Sequence, residues 1–269
     1  MILTDEDFIR LVNFIKDNYG IDLSKKKHLI TGRLTNTLGM LGIRSFKEYV
    51  DRIINGRNSD DIETMLNHLT TNYTFFMREK THFEFFSDTI LPYLESVKKD
   101  KVLSIWSAGC SSGQEPYTLS IMLKEYFGAR ASQWDTRVLA TDISHNALRT
   151  AVNAVYDEEA LGAIPKELVK KYFSPLGDGN YTVSDTLRNN VIFREFNLMN
   201  PIKFRLKFDV IFCRNVMIYF DQQTKMDLVQ RFYDATNPGG YLIISHSESL
   251  SRTNLAYDYV QPAVYRKPL

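Results

Sequence analysis

The sequence predicts a small all-helical N-terminal part followed by a doubly wound α/β domain that carries a small antiparallel β piece. Three observations carry this. Residues 1 to about 97 place apolar side chains at helical spacing throughout. From Val102 onward, short apolar runs alternate with helical stretches. One segment, residues 171–193, breaks that alternation with a turn between apolar runs.

The elements follow in order. Thr4 can cap a helix whose Phe8, Leu11, Val12, Ile15 and Tyr19 share one face, and Gly20 can end it. Ser24 begins a second helix with Ile30, Leu34, Leu38 and Leu41 at helical spacing. "SFKE" (Ser45 to Glu48) and "THFE" (Thr81 to Glu84) both fit the capping box, and a short helix is expected from Ser59 to Leu69. The pattern changes near residues 97–101, "VKKDK". Beyond it, "VLSIW", "RVLAT", "FDVIFC" and "YLIIS" read as strands buried on both faces, which implies a parallel sheet covered by helices. In "KKYFSPLGDGNYTVSDTLRNNVIF" the turn residues Gly177 to Asn180 predict an appended antiparallel hairpin.

Composition narrows the function. At 44% hydrophobic and 24% charged, the 269 residues match an ordinary globular protein with ample material for a core. Lys and Arg number 33 against 32 Asp and Glu, so net charge makes no general case for nucleic acid. Two cysteines, Cys110 and Cys213, imply no disulfide framework and a reducing compartment, and each reads as a small buried filler. The acidic "MILTDEDFIR" does not resemble a signal peptide, and no apolar run reaches membrane-spanning length; a cytoplasmic protein is expected. The five histidines are scattered without ligand spacing, so no metal is expected.

The first strand runs into "SAGCSSGQEPYTLSIML", a glycine-bearing turn between strand and helix. Such a turn lets backbone approach a ligand at the carboxyl end of the sheet. Only Gly109 and Gly113 are present and no Gly-Lys-Ser/Thr follows, which disfavours a pyrophosphate; a plain tight turn is the alternative. The second strand ends in Asp142, placed to accept from two ribose hydroxyls or, alternatively, to cap the next helix. Glu115 can face an ammonium or hydroxyl of the ligand, or merely favour the helix dipole. A third strand ends in "FNLMNP", where Asn197 and Leu198 can hydrogen-bond and sandwich an adenine edge. The fourth ends in "FCRNVMIYF", bringing Arg214, Asn215 and Tyr219 near the same rim. Ribose plus adenine without phosphates points to S-adenosylmethionine.

With "TNYTFFMRE", "SAGCSSGQEPYTL", "ATDIS", "FNL" and "FDVIFCRNVMIYF" in this order and spacing, the chain resembles the CheR family of bacterial chemotaxis receptor methyltransferases over essentially its whole length. The resemblance implies a Rossmann-like methyltransferase domain at residues 81–269 behind a receptor-docking helical domain at 1–80. It implies methyl transfer from S-adenosylmethionine to receptor glutamates, giving a methyl ester and S-adenosylhomocysteine. Asn72, Thr74 and Arg78 then reach over the cofactor as a lid that Phe75 and Phe76 pack down, while Glu115, Asp142, Asn197, Leu198, Arg214 and Asn215 supply its other contacts. Rival expectations are a methyltransferase of this fold acting on RNA or a small molecule, and a cofactor-binding sensor without catalysis.

The chemistry needs no general base, because a glutamate side chain with a pKa of about 4.3 is already ionised at neutral pH. Arg78 suits steering of the substrate carboxylate and Tyr219 its orientation through the hydroxyl; packing at the strand end is the alternative for Tyr219. From Ser24 to Arg44 five basic residues occur without an acid. Family resemblance favours docking of this helix, with Lys26, Lys27 and Arg33, on acidic receptor helices; a solvated face is the ordinary alternative. Nucleic acid is disfavoured, since the run lacks interleaved aromatics, and a monomer that does not insert into the membrane is expected. Some family members also grip a receptor tail peptide along the hairpin. The compact "LGDGN" turn, whose one charge is Asp178, argues against that here.

Overall fold

The computed structural model describes residues 1–56, 58–70, 73–250 and 255–269. They form two compact units, one of residues 1–73 with 197–199 and 218–228, the other of 74–196, 200–217 and 229–269.

The smaller unit is helical. Helix α1 (Asp5–Tyr19) is capped by Thr4, whose hydroxyl accepts from the Asp7 amide, and acids in its first turn complement the helix dipole. It stops at Gly20 with φ +73°, where a side chain would also meet Met199 Sδ at 2.6 Å. Helix α2 (Lys27–Met40) begins three residues later than Ser24, whose amide is turned onto the Asp22 carboxylate instead. Helices α3 (Phe46–Gly56) and α4 (Ser59–Leu69) complete the set. At the start of α3, the Ser45 hydroxyl accepts from the Glu48 amide and Glu48 reaches back to the Arg44 amide. Leu11, Ile15, Ile30, Leu34, Phe46, Tyr49 and Met65 are fully buried between these helices.

In the larger unit, α5 (Lys80–Phe85) passes through a π turn at Phe86–Ile90 into α6 (Leu91–Val97). Thr81 lies inside α5 rather than capping it, because the cap position is Glu79 with φ +55°. Then come β1 (Ile105–Ala108), α7 (Gln114–Phe127), β2 (Val138–Asp142), α8 (His145–Asn153) and β3 (Val155–Asp157). After them stand α9 (Lys166–Tyr172), β4 (Phe173–Gly177), β5 (Asn180–Val183), α10 (Asp185–Arg188), β6 (Val191–Glu195) and β7 (Phe208–Phe212). Helix α11 (Gln222–Ala235), counted with the smaller unit up to Leu228, precedes β8 (Thr236–Ile243), β9 (Asp258–Gln261) and β10 (Val264–Arg266).

The main sheet has the order β6-β2-β1-β7-β8-β10-β9. Its first five strands are parallel, and β10 and β9 are antiparallel additions that the apolar runs did not announce. The order reverses beside β1, which places a crevice at the carboxyl ends of β1, β2 and β7. Trp106 fills the centre of the sheet, fully buried, with its indole N–H donating to the Thr141 hydroxyl at 2.9 Å.

The small sheet differs from the expected 171–193 hairpin. It is β3-β5-β4, so Val155–Asp157 contribute a third strand, while Val191–Glu195 pair in parallel with β2 in the main sheet. Only Val191, Ile192 and Phe193 of that strand are apolar, a run short enough to be read both as the end of the hairpin and as the strand before "FNLMNP". Among the described residues, no helix is long and apolar enough to cross a membrane.

Candidate active site

The loop after β1 is shaped by backbone. Gly109 and Gly113 take φ +88° and +97°, where a side chain is strained. A Cβ on Gly109 would collide with Val216, and one on Gly113 would lie 2.9 Å from both Ala151 Cβ and the Tyr156 hydroxyl. The amides of Gly109 and Cys110 donate to the Thr141 carbonyl, and the Ser111 amide donates to Asp142 Oδ2 at 2.7 Å. Asp142 Oδ1 accepts from the Ser144 amide at 2.9 Å, but α8 is capped by Ser144, whose hydroxyl accepts from Ala147. Asp142 therefore ties two loops at the carboxyl end of β2, half-buried, rather than capping the helix.

Charge holds the opposite side. Arg214, buried just past β7, pairs with Glu115 in the first turn of α7 at 2.9 Å and lies 3.4 Å from Glu79. It also donates to the Arg78 carbonyl and stacks over Phe83 at 5.2 Å. Glu115 accepts in addition from the Ser107 hydroxyl of β1 at 2.7 Å. Asn215 sends its side-chain amide to Ser245 (2.7 Å) and Ser247, and its backbone amide to Glu248. Glu248, buried, also accepts from the Ser245 amide.

Glu79, Ser245 and Glu248 were not anticipated. Glu79 adjoins Arg78 in the sequence, but its partners Ser245 (2.6 Å) and the His246 amide lie more than 160 residues away. Burial works to raise the Glu79 pKa, yet the Ser245 hydroxyl, Arg214 and the His246 amide together hold it below the ordinary carboxylate range. The expectation of scattered histidines fails for two of them: the rings of His82 and His246 lie 4.3 Å apart. Burial, aided by Arg214, pushes the fully buried His82 down to about 4. Burial likewise raises both cysteine thiols, which suits fillers rather than nucleophiles.

Within the connector, only one phenylalanine anchors as expected. Phe76 is fully buried edge-on to Tyr156 (5.0 Å) and Phe173 (5.6 Å), whereas Phe75 is 37% exposed and lies under the Arg78 guanidinium. Met77 (φ +59°) and Glu79 (φ +55°) bracket Arg78 in left-handed backbone, and the Met77 amide donates to Thr118. Thr74 is half-buried; Asn72 lies outside the described residues. Among the described residues, eight non-glycines have positive φ, and Met77, Glu79, Ser111 and Asn215 are four of them. Strain is thus concentrated around these strand ends, a pattern typical of sites held in one geometry.

The remaining candidates belong to the smaller unit. The Asn197 side-chain amide donates to the Asn18 carbonyl at 2.8 Å and its oxygen accepts from Met199, so that side chain ties the chain to the end of α1 rather than presenting an open amide. Leu198 is buried there. Tyr219 is half-buried, its carbonyl accepting from the Asp22 amide. Of the basic residues, Lys27 pairs with Asp5 at 2.6 Å and Arg33 donates to the carbonyls of His68 and Leu69 at the end of α4. Lys26 is exposed.

A doubly wound sheet with a glycine-bearing first loop and an acid at the tip of the second strand defines a nucleoside-cofactor-binding α/β domain. The chain matches the model "CheR methyltransferase, SAM binding domain" over residues 72–265 and "CheR methyltransferase, all-alpha domain" over residues 6–70. A chemotaxis protein methyltransferase of Borreliella burgdorferi is 40% identical over 98% of this chain and 95% of that protein. A probable chemotaxis protein methyltransferase of Rhizobium etli is 37% identical over 94% and 96%. A solved DszA carbon methyltransferase covers 89% of this chain and 51% of that one at 14% identity, with a TM-score of 0.38 that speaks for no shared chemistry. The chain belongs to the CheR methyltransferase family and is an S-adenosylmethionine-dependent methyltransferase.

The residues present fit that cofactor. Two backbone amides fix the orientation of the Asp142 carboxylate beside the open-backbone loop, as a ribose acceptor requires. No phosphate-binding sequence accompanies the loop, in keeping with a ligand that carries none.

Proposed function

We propose that the protein methylates glutamate side-chain carboxylates of chemotaxis receptors, producing glutamate methyl ester and S-adenosylhomocysteine. The observation that carries this reading is the strained connector. Two left-handed residues and the buried Phe76 hold Arg78 in one backbone setting, with its carbonyl on Arg214 and its guanidinium over Phe75. A cation so placed suits an anionic substrate group. The names of the full-length relatives support the chemotaxis setting.

The cofactor, when bound, supplies a methyl group made electrophilic by the neighbouring sulfonium. Asp142 accepts from the ribose hydroxyls, and the Glu115–Arg214 pair gives the cofactor's amino acid end a carboxylate and a guanidinium in fixed relation. Asn72, Thr74, Leu198 and Asn215 complete the contacts, and Asn197 drops out of the set because both ends of its side-chain amide are engaged by Asn18 and Met199. Arg78 steers the incoming glutamate, and the Tyr219 hydroxyl orients it for in-line attack. No proton must be removed, so alignment and exclusion of water are the main tasks of the protein. Lys26, Lys27 and Arg33 present positive charge to the acidic receptor helices, raising the encounter rate more than the affinity. On this reading the protein acts as a cytoplasmic monomer.

The test is to incubate the protein with labelled S-adenosylmethionine and receptor-containing membranes. Label released by mild alkali is expected, because carboxyl methyl esters hydrolyse and methylated nitrogen does not. Alkali-stable label, or transfer to RNA or a metabolite instead, would overturn the reading.

A further inference from the structure

Among the described residues, one place brings three ligand-type side chains together: Glu79, His82 and His246. Their nearest donor atoms all lie within 4.8 Å of one another. Glu79 and His82 stand three residues apart at the start of α5, which puts them on one side of the helix, and His246 comes from the loop after β8. His82 Nδ1 lies 3.3 Å from Glu79 Oε2. Two donors bound at about 2.0–2.1 Å to a tetrahedral zinc ion are separated by about 3.3–3.4 Å, so this edge already has the spacing of a metal site.

A second, independent observation points the same way. His82 is fully buried, and neither of its ring nitrogens has a hydrogen-bond partner. A buried imidazole without partners costs free energy unless something satisfies it. The orientation of the carboxylate is meanwhile set by its own neighbours: Glu79 Oε1 accepts from the Ser245 hydroxyl and Oε2 from the His246 amide. Such outer contacts are what orient a metal ligand. His246 is exposed, so an ion can enter from solvent on that side, exchanging the 3.4 Å contact of its Nε2 with the Thr81 hydroxyl for a bond to the metal.

The Arg214 guanidinium, 3.4 Å from Glu79 Oε2, opposes a cation. It stands, however, between two carboxylates, those of Glu79 and Glu115, which leave that cluster formally negative. We propose that Glu79, His82 and His246 form a binding site for a divalent transition metal of the zinc class, with a fourth coordination position open to solvent. Two imidazoles and one carboxylate are a donor set suited to zinc, and occupancy would share Glu79 between the metal and Arg214.

Calorimetric titration of the chelator-treated full chain with zinc chloride tests this, alongside visible spectroscopy after addition of cobalt(II). One equivalent is expected to bind at micromolar concentration or tighter, with cobalt bands of a nitrogen–oxygen site and no thiolate charge-transfer band. His246→Ala, at an exposed position that should not disturb folding, is expected to weaken binding at least tenfold, and His82→Gln likewise if it folds. A chain with His28, His68 and His145 all changed to Ala is expected to bind as the parent does. Absence of binding to the parent, an unchanged affinity in H246A, or a thiolate band implicating Cys110 or Cys213 would each overturn the proposal.

Discussion

The carboxyl ends of β1 and β2 and those of β7 and β8 are fixed by different means. At the first pair, backbone does the holding. Positive-φ glycines and the amides of Gly109, Cys110, Ser111 and Ser144 anchor on Thr141 and Asp142, and one carboxylate is the only charged side chain in that set. At the second pair, charged and polar side chains do it. Arg214 joins Glu79 to Glu115, and Asn215, Ser245 and Glu248 form a hydrogen-bonded knot beside them. A backbone-held loop tolerates loss of a side chain better than a charge-held one, where removing one partner leaves the others buried and unbalanced. The first region should therefore respond to mutation mainly in ligand affinity, and the second mainly in stability.

The largest effect is expected at Arg214. Arg214→Gln leaves the largely buried carboxylates of Glu79 and Glu115 without the cation they share and should cost about 3–5 kcal/mol of unfolding free energy. Urea denaturation measures it directly. A loss below about 1 kcal/mol would mean that solvent relaxes the cluster, and the contrast between the two regions would collapse.

Asp142→Ala comes next and should act on the ligand. Loss of a charged acceptor for the ribose hydroxyls should weaken S-adenosylhomocysteine binding by about 1.5–3 kcal/mol, with a smaller change in unfolding free energy. Titration calorimetry beside a melt separates the two readouts, and Asp142→Asn, which keeps one acceptor oxygen, should fall between. Unchanged affinity in a folded variant would leave Asp142 as a tie between loops alone.

The two regions also differed in how far they could be read from the sequence. The first was legible because its parts are local: two glycines, an acid at a strand tip, and the strands around them. The second was only half legible. Arg214, Asn215 and Glu115 sit beside recognisable strand ends, but Glu79 and His82 meet Ser245 and His246 only through the fold. The error over "THFE" has the same origin, since the left-handed Glu79 displaced Thr81 from the cap position. Asn197 shows the limit from the other direction, a motif residue whose amide is committed to a backbone carbonyl 179 residues distant in sequence.

A smaller effect is expected at Tyr219, where Phe should lower turnover about two- to tenfold, the worth of one orienting hydrogen bond, with cofactor affinity nearly intact. A collapse of cofactor affinity would instead make Tyr219 a binding or packing residue. For the basic helix, Lys26→Ala with Lys27→Ala should raise the apparent receptor KM and blunt its salt dependence, since exposed charges are screened. Arg33 is best kept out of that variant, because it holds the last carbonyls of α4 and its loss would mix docking with stability. Equal salt sensitivity in variant and parent would remove Lys26 and Lys27 from the docking surface.

The smallest effect, in fact none, is expected on deleting the C-terminal residues of a receptor substrate. A tail peptide could join the small sheet only by pairing with an edge strand through unpaired backbone groups. The sheet order β3-β5-β4 leaves β3 and β4 as its edges. Strand β4 contains Pro175, which has no amide hydrogen to offer, and its register shifts between Pro175 and Gly177. Strand β3 is only three residues long. Short edges, prolines and irregularities are the devices by which proteins discourage strand addition. The turn between β4 and β5 adds Asp178, an acid that would repel a terminal carboxylate, in a left-handed run from Gly177 to Gly179 that leaves no loop to close over a peptide. Methylation rates on one receptor with and without its terminal residues should therefore agree. A large loss on truncation would show that the peptide uses this edge after all, and would place receptor selection in the β-sheet subdomain rather than on the basic helix.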